Sequence, residues 1–231
     1  MTMIADNLHR VQARIAQACA KAGRAPDSVA LLAVSKTFGA DAVVQAHAAG
    51  QTAFGENYIQ EAVEKITELA HLPLQWHCIG PIQSNKTRLV AQHFDWAHTV
   101  DRLKIAQRLS EQRPEDKPAL NVCIQVNIDG GPTKAGVAPD EALALAQQIA
   151  QLPGLRLRGI MTIPEPAIDF AAACAVHMRA RGLFDALKAA GLPLDTLSMG
   201  MSADLDAAVQ CGSTMVRVGT AIFGGRSYPA A

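Results

Sequence analysis

Ile4, Leu8, Val11, Ile15 and Ala18 recur at steps of four and three along the start of the chain. That spacing puts them on one face of a helix, which Gly23 and then Pro26 close. The next segment drops this period, because Val29-Ala-Leu-Leu-Ala-Val34 is apolar without a gap. Such a run predicts a strand buried on both faces, as in a parallel sheet. From there the two patterns alternate. Helical spacing occurs near 41–49, 58–70, 84–92, 102–112, 139–151, 170–190 and 203–211, and strand-like runs near 29–35, 52–54, 75–79, 96–100, 120–127, 155–162, 196–198 and 215–218. The count is eight strands, each but the last followed by a helix.

Repeated βα units imply a parallel sheet, and eight of them in this length imply a closed barrel. The expected class is therefore α/β, a single (β/α)8 TIM-type barrel over residues 1–231 with an extra N-terminal helix. The competing arrangement is an open doubly wound sheet, which would carry a Gly-rich first turn for a nucleotide. The first turn here is Ser35-Lys-Thr-Phe-Gly39, with no G-x-G-x-x-G, and the barrel is preferred.

Composition narrows the partners. The 231 residues carry no formal net charge, and 49% are apolar while only 4% are aromatic. Balanced charge argues against holding nucleic acid by bulk electrostatics. The longest apolar run is far too short to span a bilayer, so no membrane partner is expected. Five cysteines, at 19, 78, 123, 174 and 211, form no C-x-x-C pair, which makes structural zinc and a disulfide framework poor readings. No H-E-x-x-H or comparable metal spacing occurs. Asp6, His9, Arg10 and Arg14 interrupt any apolar leader core. An organelle transit peptide is the weaker alternative, because the same stretch already reads as a packed helix. A reduced, cytoplasmic protein is expected.

In a barrel the chemistry gathers where strands end. Phosphate is often held there between the loops after strands seven and eight, which needs hydroxyls and glycines for close backbone approach. Ser198, Gly200, Ser202, Gly219 and Thr220 supply that chemistry, although Gly and Ser also mark ordinary turns. Lys36 directly follows the first buried strand. Partial desolvation there favours a neutral amine, the form that attacks an aldehyde to give a Schiff base; the plainer alternative is a solvated lysine at a loop start. An amine and a phosphate pocket in one barrel mouth suit a phosphorylated aldehyde. Arg217, in the last strand, either pairs with a core carboxylate or faces the ligand. His77 and Cys78 are adjacent in a strand and point to opposite faces, so they form no nucleophile–base pair.

Leu32-Ala-Val-Ser-Lys36-Thr, Phe54-Gly-Glu-Asn-Tyr58, Trp76-His-Cys-Ile-Gly-Pro-Ile-Gln-Ser-Asn-Lys86, Arg158-Gly-Ile-Met161, Leu197-Ser-Met-Gly-Met-Ser202 and Val216-Arg-Val-Gly-Thr-Ala-Ile-Phe-Gly224 occur in register along nearly the whole chain. Together they resemble the pyridoxal 5′-phosphate (PLP) homeostasis proteins, whose barrel is related to the PLP-bearing domain of alanine racemase. The resemblance implies PLP as the cofactor, held as a Schiff base on Lys36. It implies that Ser202, Gly219 and Thr220 hold the phosphate with Ser198 nearby, that Arg217 approaches the pyridine nitrogen, and that Asn57 and His77 line the ring's surroundings. Lys134, in Thr133-Lys-Ala-Gly136, matches a further family lysine. Phe38 and Gly39 stand where many relatives have a second lysine and a proline, which removes one residue that could take part in handing the cofactor on.

The resemblance also implies a non-catalytic role: binding, buffering or delivering PLP, with PLP-dependent apoenzymes as candidate recipients. The alternatives are a PLP-dependent racemase or decarboxylase-like enzyme, and a phosphosugar barrel using Lys36 to form an aldolase-type Schiff base. The related racemases draw a second base from a second domain of a partner subunit. The barrel uses almost all of this chain, and its two tyrosines, Tyr58 and Tyr228, are not obvious replacements. The expectation is therefore a monomeric carrier with no catalytic residues.

Overall fold

The computed structural model describes residues 2–131 and 135–225; Lys134 and Tyr228 lie outside them. Helix α1 (Met3–Lys21) comes first, capped at its N-terminus by Thr2, whose hydroxyl accepts from the Ala5 N–H. Its buried residues are the stripe that the spacing predicts, Ile4, Leu8, Val11, Ile15 and Ala18, with Ala5 and Cys19 beside it. Eight βα units follow: β1 (Ala30–Val34) and α2 (Ala40–Ala48), β2 (Ala53–Glu56) and α3 (Ile59–Glu68), β3 (Gln75–Cys78) and α4 (Thr87–His93), β4 (Trp96–Val100) and α5 (Leu103–Glu111), β5 (Leu120–Val126) and α6 (Ala142–Ile149), β6 (Leu155–Thr162) and α7 (Phe170–Ala189), β7 (Thr196–Ser198) and α8 (Leu205–Gln210), β8 (Met215–Val218) and α9 (Thr220–Phe223).

The strands pair in chain order, all parallel, and β8 returns to β1 through Ala30↔Met215 and Ala33↔Val218. The barrel is closed, as the alternating pattern implies. One element differs from the sequence reading. The last strand does carry a helix, α9, but a single turn is too short to leave a periodic signature.

Closure creates two buried regions. The shell between strands and helices is one continuous apolar cluster that includes Leu8, Phe54, Ile105, Leu109, Ile149 and Leu187. The inside of the barrel holds two small apolar clusters, Leu32/Val34/Ile79/Met215 and Trp96/Cys123/Met161. Between them runs a column of buried polar side chains that includes His77, His98, Ser198 and Arg217. Burial pushes the thiol of Cys123, inside the barrel, up to about 12, and that of Cys78, in the shell, likewise. Among the described residues no helix is long and apolar enough to cross a membrane, and no group of His, Cys, Asp and Glu could hold a metal ion.

Candidate functional site

A cavity of about 510 Å³ opens at the C-terminal ends of the strands, within the range of small-molecule and cofactor sites. Lys36, Asn57, Ser202, Arg217, Gly219 and Thr220 line it together, and Val34, Phe38, Ile79, Ile163 and Met201 supply apolar wall. Phe38, one of the family departures, is part of that wall and stacks at a tilt against Phe223 of α9, with ring centroids 5.3 Å apart.

Lys36 leaves β1 on a tightly held turn. The preceding Ser35 carbonyl accepts from Lys65 Nζ (3.1 Å) and from the Phe38 N–H (3.1 Å). The Ser35 hydroxyl donates to Glu56 Oε1 (2.6 Å), which also accepts from Lys65 Nζ (2.6 Å). This ion pair is buried, with side chains 5% and 0% exposed. Burial raises the Glu56 pKa, and Lys65 partly offsets that. Thr37, next to Lys36, is the one non-glycine described residue with positive φ (68°). A left-handed backbone there costs on the order of 1–2 kcal/mol, so the anchored carbonyl holds a strained turn.

At the other end, the loop after β7 carries Ser202, and Gly219 with Thr220 opens α9. A side chain at 219 would put its Cβ 3.0 Å from the Val34 carbonyl oxygen, so glycine lets β8 close against β1 at the cavity wall. Three groups shape the Ser202 loop. Asp204 Oδ1 accepts from the Met201 N–H (2.7 Å), and Asp204 Oδ2 pairs with His177 Nε2 (2.9 Å). Burial would raise the Asp204 pKa, but hydrogen bonds from His177 and Met201 outweigh it and hold the carboxyl below its usual range. The third group comes from α1, where Arg14 Nη1 donates to the Ser202 carbonyl (2.8 Å) and Arg14 also pairs with Asp206. Asn7, two helical turns earlier, donates to the Ile222 carbonyl in α9 (2.9 Å). Helix α1 therefore braces both loops.

Arg217 is almost fully buried, yet its guanidinium reaches the cavity. Nη1 donates to Ser198 Oγ (2.9 Å) and Nη2 to the Thr162 carbonyl (2.8 Å). Of the two sequence readings, the core ion pair gives way to a cation tied to neutral acceptors and facing the cavity. Burial lowers its pKa to about 10, so it remains charged at neutral pH.

Two expected site residues stand elsewhere. His77 and Ser198 are fully buried and do not line the cavity. Strand geometry explains His77: Ile79 lies two residues further on the same face and occupies the cavity level, which leaves His77 one layer deeper. His77 stacks on Trp96 with centroids 5.1 Å apart and hydrogen-bonds His98. Ser198 lies under Arg217 rather than beside the phosphate loops. Sequence reading missed His98, Arg14 and Asn7. Asn7 and Arg14 do carry a faint signal, being polar residues seven apart on the flank of the α1 stripe.

A primary amine, hydroxyls with a close-approach glycine and a buried guanidinium in one barrel mouth define a class of site whose chemistry suits a phosphorylated carbonyl compound. Comparison with known proteins agrees. The family described as alanine racemase, N-terminal domain, matches residues 7–227. The chain is 60% identical over 230 residues to the pyridoxal phosphate homeostasis protein of Pseudomonas aeruginosa, covering 100% of this chain and 99% of that one. It is 52% identical to the Escherichia coli K12 protein of the same name, covering 99% of each. A structure of PipY from Synechococcus elongatus with PLP bound is 39% identical, with a TM-score of 0.84, and the match covers 96% of this chain and 100% of that one. An alanine racemase from Clostridium difficile, 17% identical with a TM-score of 0.74, shares the fold. The chain belongs to the alanine racemase N-terminal domain family, within the branch whose curated members are named pyridoxal phosphate homeostasis protein.

Proposed function

We propose that the chain binds PLP in this cavity, as a Schiff base on Lys36, and buffers or delivers it without turning over a substrate. Bound PLP brings an aldehyde, a ring nitrogen with a lone pair and a phosphate dianion. The observation that carries the reading is that one cavity offers a complement to each. The Lys36 amine condenses with the aldehyde and water leaves. Ser202, Gly219 and Thr220 suit the phosphate, through hydroxyls and a close backbone. Arg217 suits the ring nitrogen and, being a permanent donor, keeps it unprotonated. Asn57 Oδ1 and Thr162 Oγ1 are buried without a hydrogen-bond partner among the described residues, as expected beside a site that a polar ligand completes.

The lining also favours a carrier over a catalyst. Among the described residues lining the cavity there is no His, Asp, Glu, Cys or Tyr, so no second general acid or base of those types accompanies Lys36 there. Racemisation needs acid–base groups on both faces of a substrate. Tyr58 is half exposed at the start of α3 and is not part of the wall. The names of the relatives point the same way. On this reading the protein works in the cytoplasm as a monomer, and PLP-dependent apoenzymes are its recipients.

Adding PLP to the purified protein is expected to give a visible absorption band that borohydride fixes onto Lys36, and Lys36→Ala is expected to stay colourless. No band in the wild type would overturn the binding. Incubation with single L-amino acids, followed by chirality and carbon dioxide release, addresses turnover. Sustained product formation that Lys36→Ala abolishes would overturn the carrier role.

A further inference from the structure

The buried column inside the barrel is continuous. From Arg217 Nη1 the chain of contacts runs to Ser198 Oγ (2.9 Å), from Ser198 Oγ to His98 Nδ1 (3.2 Å), from His98 Nε2 to His77 Nδ1 (2.9 Å), and from His77 Nε2 to Gln75 Oε1 (3.0 Å). Arg217 faces the cavity at one end, whereas Gln75 is exposed at the first residue of β3, at the opposite end of the barrel. The contacts join β8, β7, β4 and β3 across the interior.

The chemistry of the two ends fixes the direction of every proton between them. An arginine donates only, so Ser198 Oγ accepts from it. A glutamine Oε1 accepts only, so His77 carries its proton on Nε2 and presents a lone pair at Nδ1. His98 must then donate from Nε2, which leaves its Nδ1 as an acceptor. The Ser198 hydroxyl proton fills that acceptor. Each link has one donor and one acceptor, with nothing left over. Turning the Gln75 amide around would reverse the imidazoles, and Ser198 would then accept twice, from His98 and Arg217, while neither of these neighbours could accept its own proton. Ionising an imidazole would place two donors on one link. The charged groups facing the pair are Arg217 beside His98 and Arg158, whose guanidinium lies 4.6 Å from the Trp96 ring centroid on which His77 stacks. Both disfavour a further positive charge.

We propose that Gln75, His77, His98 and Ser198 form a hydrogen-bond chain with a single proton direction, which anchors the Arg217 guanidinium and leaves its remaining N–H groups for the ring of the bound ligand. The residues of the chain are positioning residues: none lines the cavity, and they act through Arg217. The proposal rests on the PLP reading only for the identity of that ring. A guanidinium held on one edge by Ser198 and the Thr162 carbonyl is set before the ligand arrives, which reduces the ordering that binding requires.

Long-range ¹H–¹⁵N correlation spectra of the ligand-free protein test this directly, with His77→Phe and His98→Phe used to assign the rings. The expected result is two neutral imidazoles, both protonated at Nε2, unchanged from pH 5.5 to 8. An Nδ1-protonated ring or an imidazolium at either position in that range would overturn the fixed direction. The anchoring role is read separately, by PLP titration of Ser198→Ala. Loss of one hydrogen bond to a charged group is expected to weaken binding about tenfold, and unchanged affinity would overturn the anchor. A wild type that takes up no PLP would sink the functional reading while the spectra still decide the chain.

Discussion

Between the strands and the helices of this barrel, Leu8, Ile105, Leu109 and Leu187 pack side against side in a continuous apolar shell. Inside the strands the same degree of burial encloses two imidazoles, a hydroxyl and a guanidinium. The shell draws its stability from area removed from water, which asks nothing of geometry beyond good packing. The interior cannot work that way. A buried polar group without a partner costs on the order of 1–3 kcal/mol, so these side chains are tolerable only because each hands a hydrogen bond to the next. Apolar side chains therefore secure the fold, whereas the ordered polar column serves the cavity above it.

That division is broken most strongly by one substitution in each region. Leu109 is fully buried in the shell. Leu109→Ala is expected to lower unfolding free energy by about 2–5 kcal/mol, through lost transfer energy and the cavity left behind. Its PLP affinity, measured well below the melting temperature, should match the wild type. Arg217→Met is expected to show the converse. The substitution relieves the interior of a desolvated charge, which offsets the cost, about 1–3 kcal/mol, of leaving Ser198 Oγ and the Thr162 carbonyl without that donor. Arg217→Met should therefore lose less stability than Leu109→Ala, while PLP binding should weaken by more than tenfold. Denaturant titration and PLP titration on both variants check the pair. An Arg217→Met protein that melts early and still binds normally would erase the distinction.

The two regions were also unequally legible in the sequence. The shell announces itself, because helix spacing such as 4-8-11-15-18 states which face is buried. Lys36, Ser202, Gly219 and Thr220 were legible for another reason: a strand end in a barrel is where ligands bind, and their side-chain chemistry is distinctive. The interior column was not. Trp96-Ala-His-Thr-Val100 is buried along its whole length, so nothing in the sequence says that His98 faces inward. Its partners are 21 and 100 residues away, beyond any local pattern. The resemblance implies that His77 lines the ring's surroundings, and strand alternation does not correct this because it gives a face but not a depth. The bracing by Asn7 and Arg14 was hidden likewise, because it joins residues 215 and 188 apart.

Acid should sharpen the contrast next. Burial, with Arg217 nearby, lowers the His98 pKa from 6.5 to about 3, and burial with His98 and Arg158 holds His77 well below 6.5. As pH falls below 6.5, the unfolded chain takes up a proton at each imidazole while the folded chain does not. The unfolded state thus binds more protons, and stability declines with falling pH through the window from 6.5 toward 3. Glu56 has the opposite sign. Its raised folded pKa makes its own contribution improve as pH falls toward 4.5, so the histidine effect is isolated by comparing the wild type with a variant that keeps Glu56. His98→Gln, which can still donate and accept, is expected to lose less stability than the wild type between pH 7 and pH 5, read from denaturant midpoints. Equal losses would mean that the interior imidazoles do not titrate on unfolding.

The smallest effect belongs to Arg14, where shell and cavity meet. Its ion pair with Asp206 is well exposed, at 38% and 41%, and exposed pairs of this kind contribute about 0–1 kcal/mol. Arg14→Ala should therefore hardly move the melting transition. Its bond to the Ser202 carbonyl is another matter, since it holds in place the loop whose hydroxyl we propose meets the phosphate. PLP affinity is expected to weaken roughly threefold to tenfold, the range of one lost hydrogen bond. Pyridoxal, which lacks the phosphate, separates local from global action. If α1 braces the phosphate loops alone, Arg14→Ala binds pyridoxal as the wild type does, and the loss appears only with PLP. An equal loss for both ligands would place the effect in the whole barrel, and the N-terminal helix would then belong to the apolar shell rather than to the site.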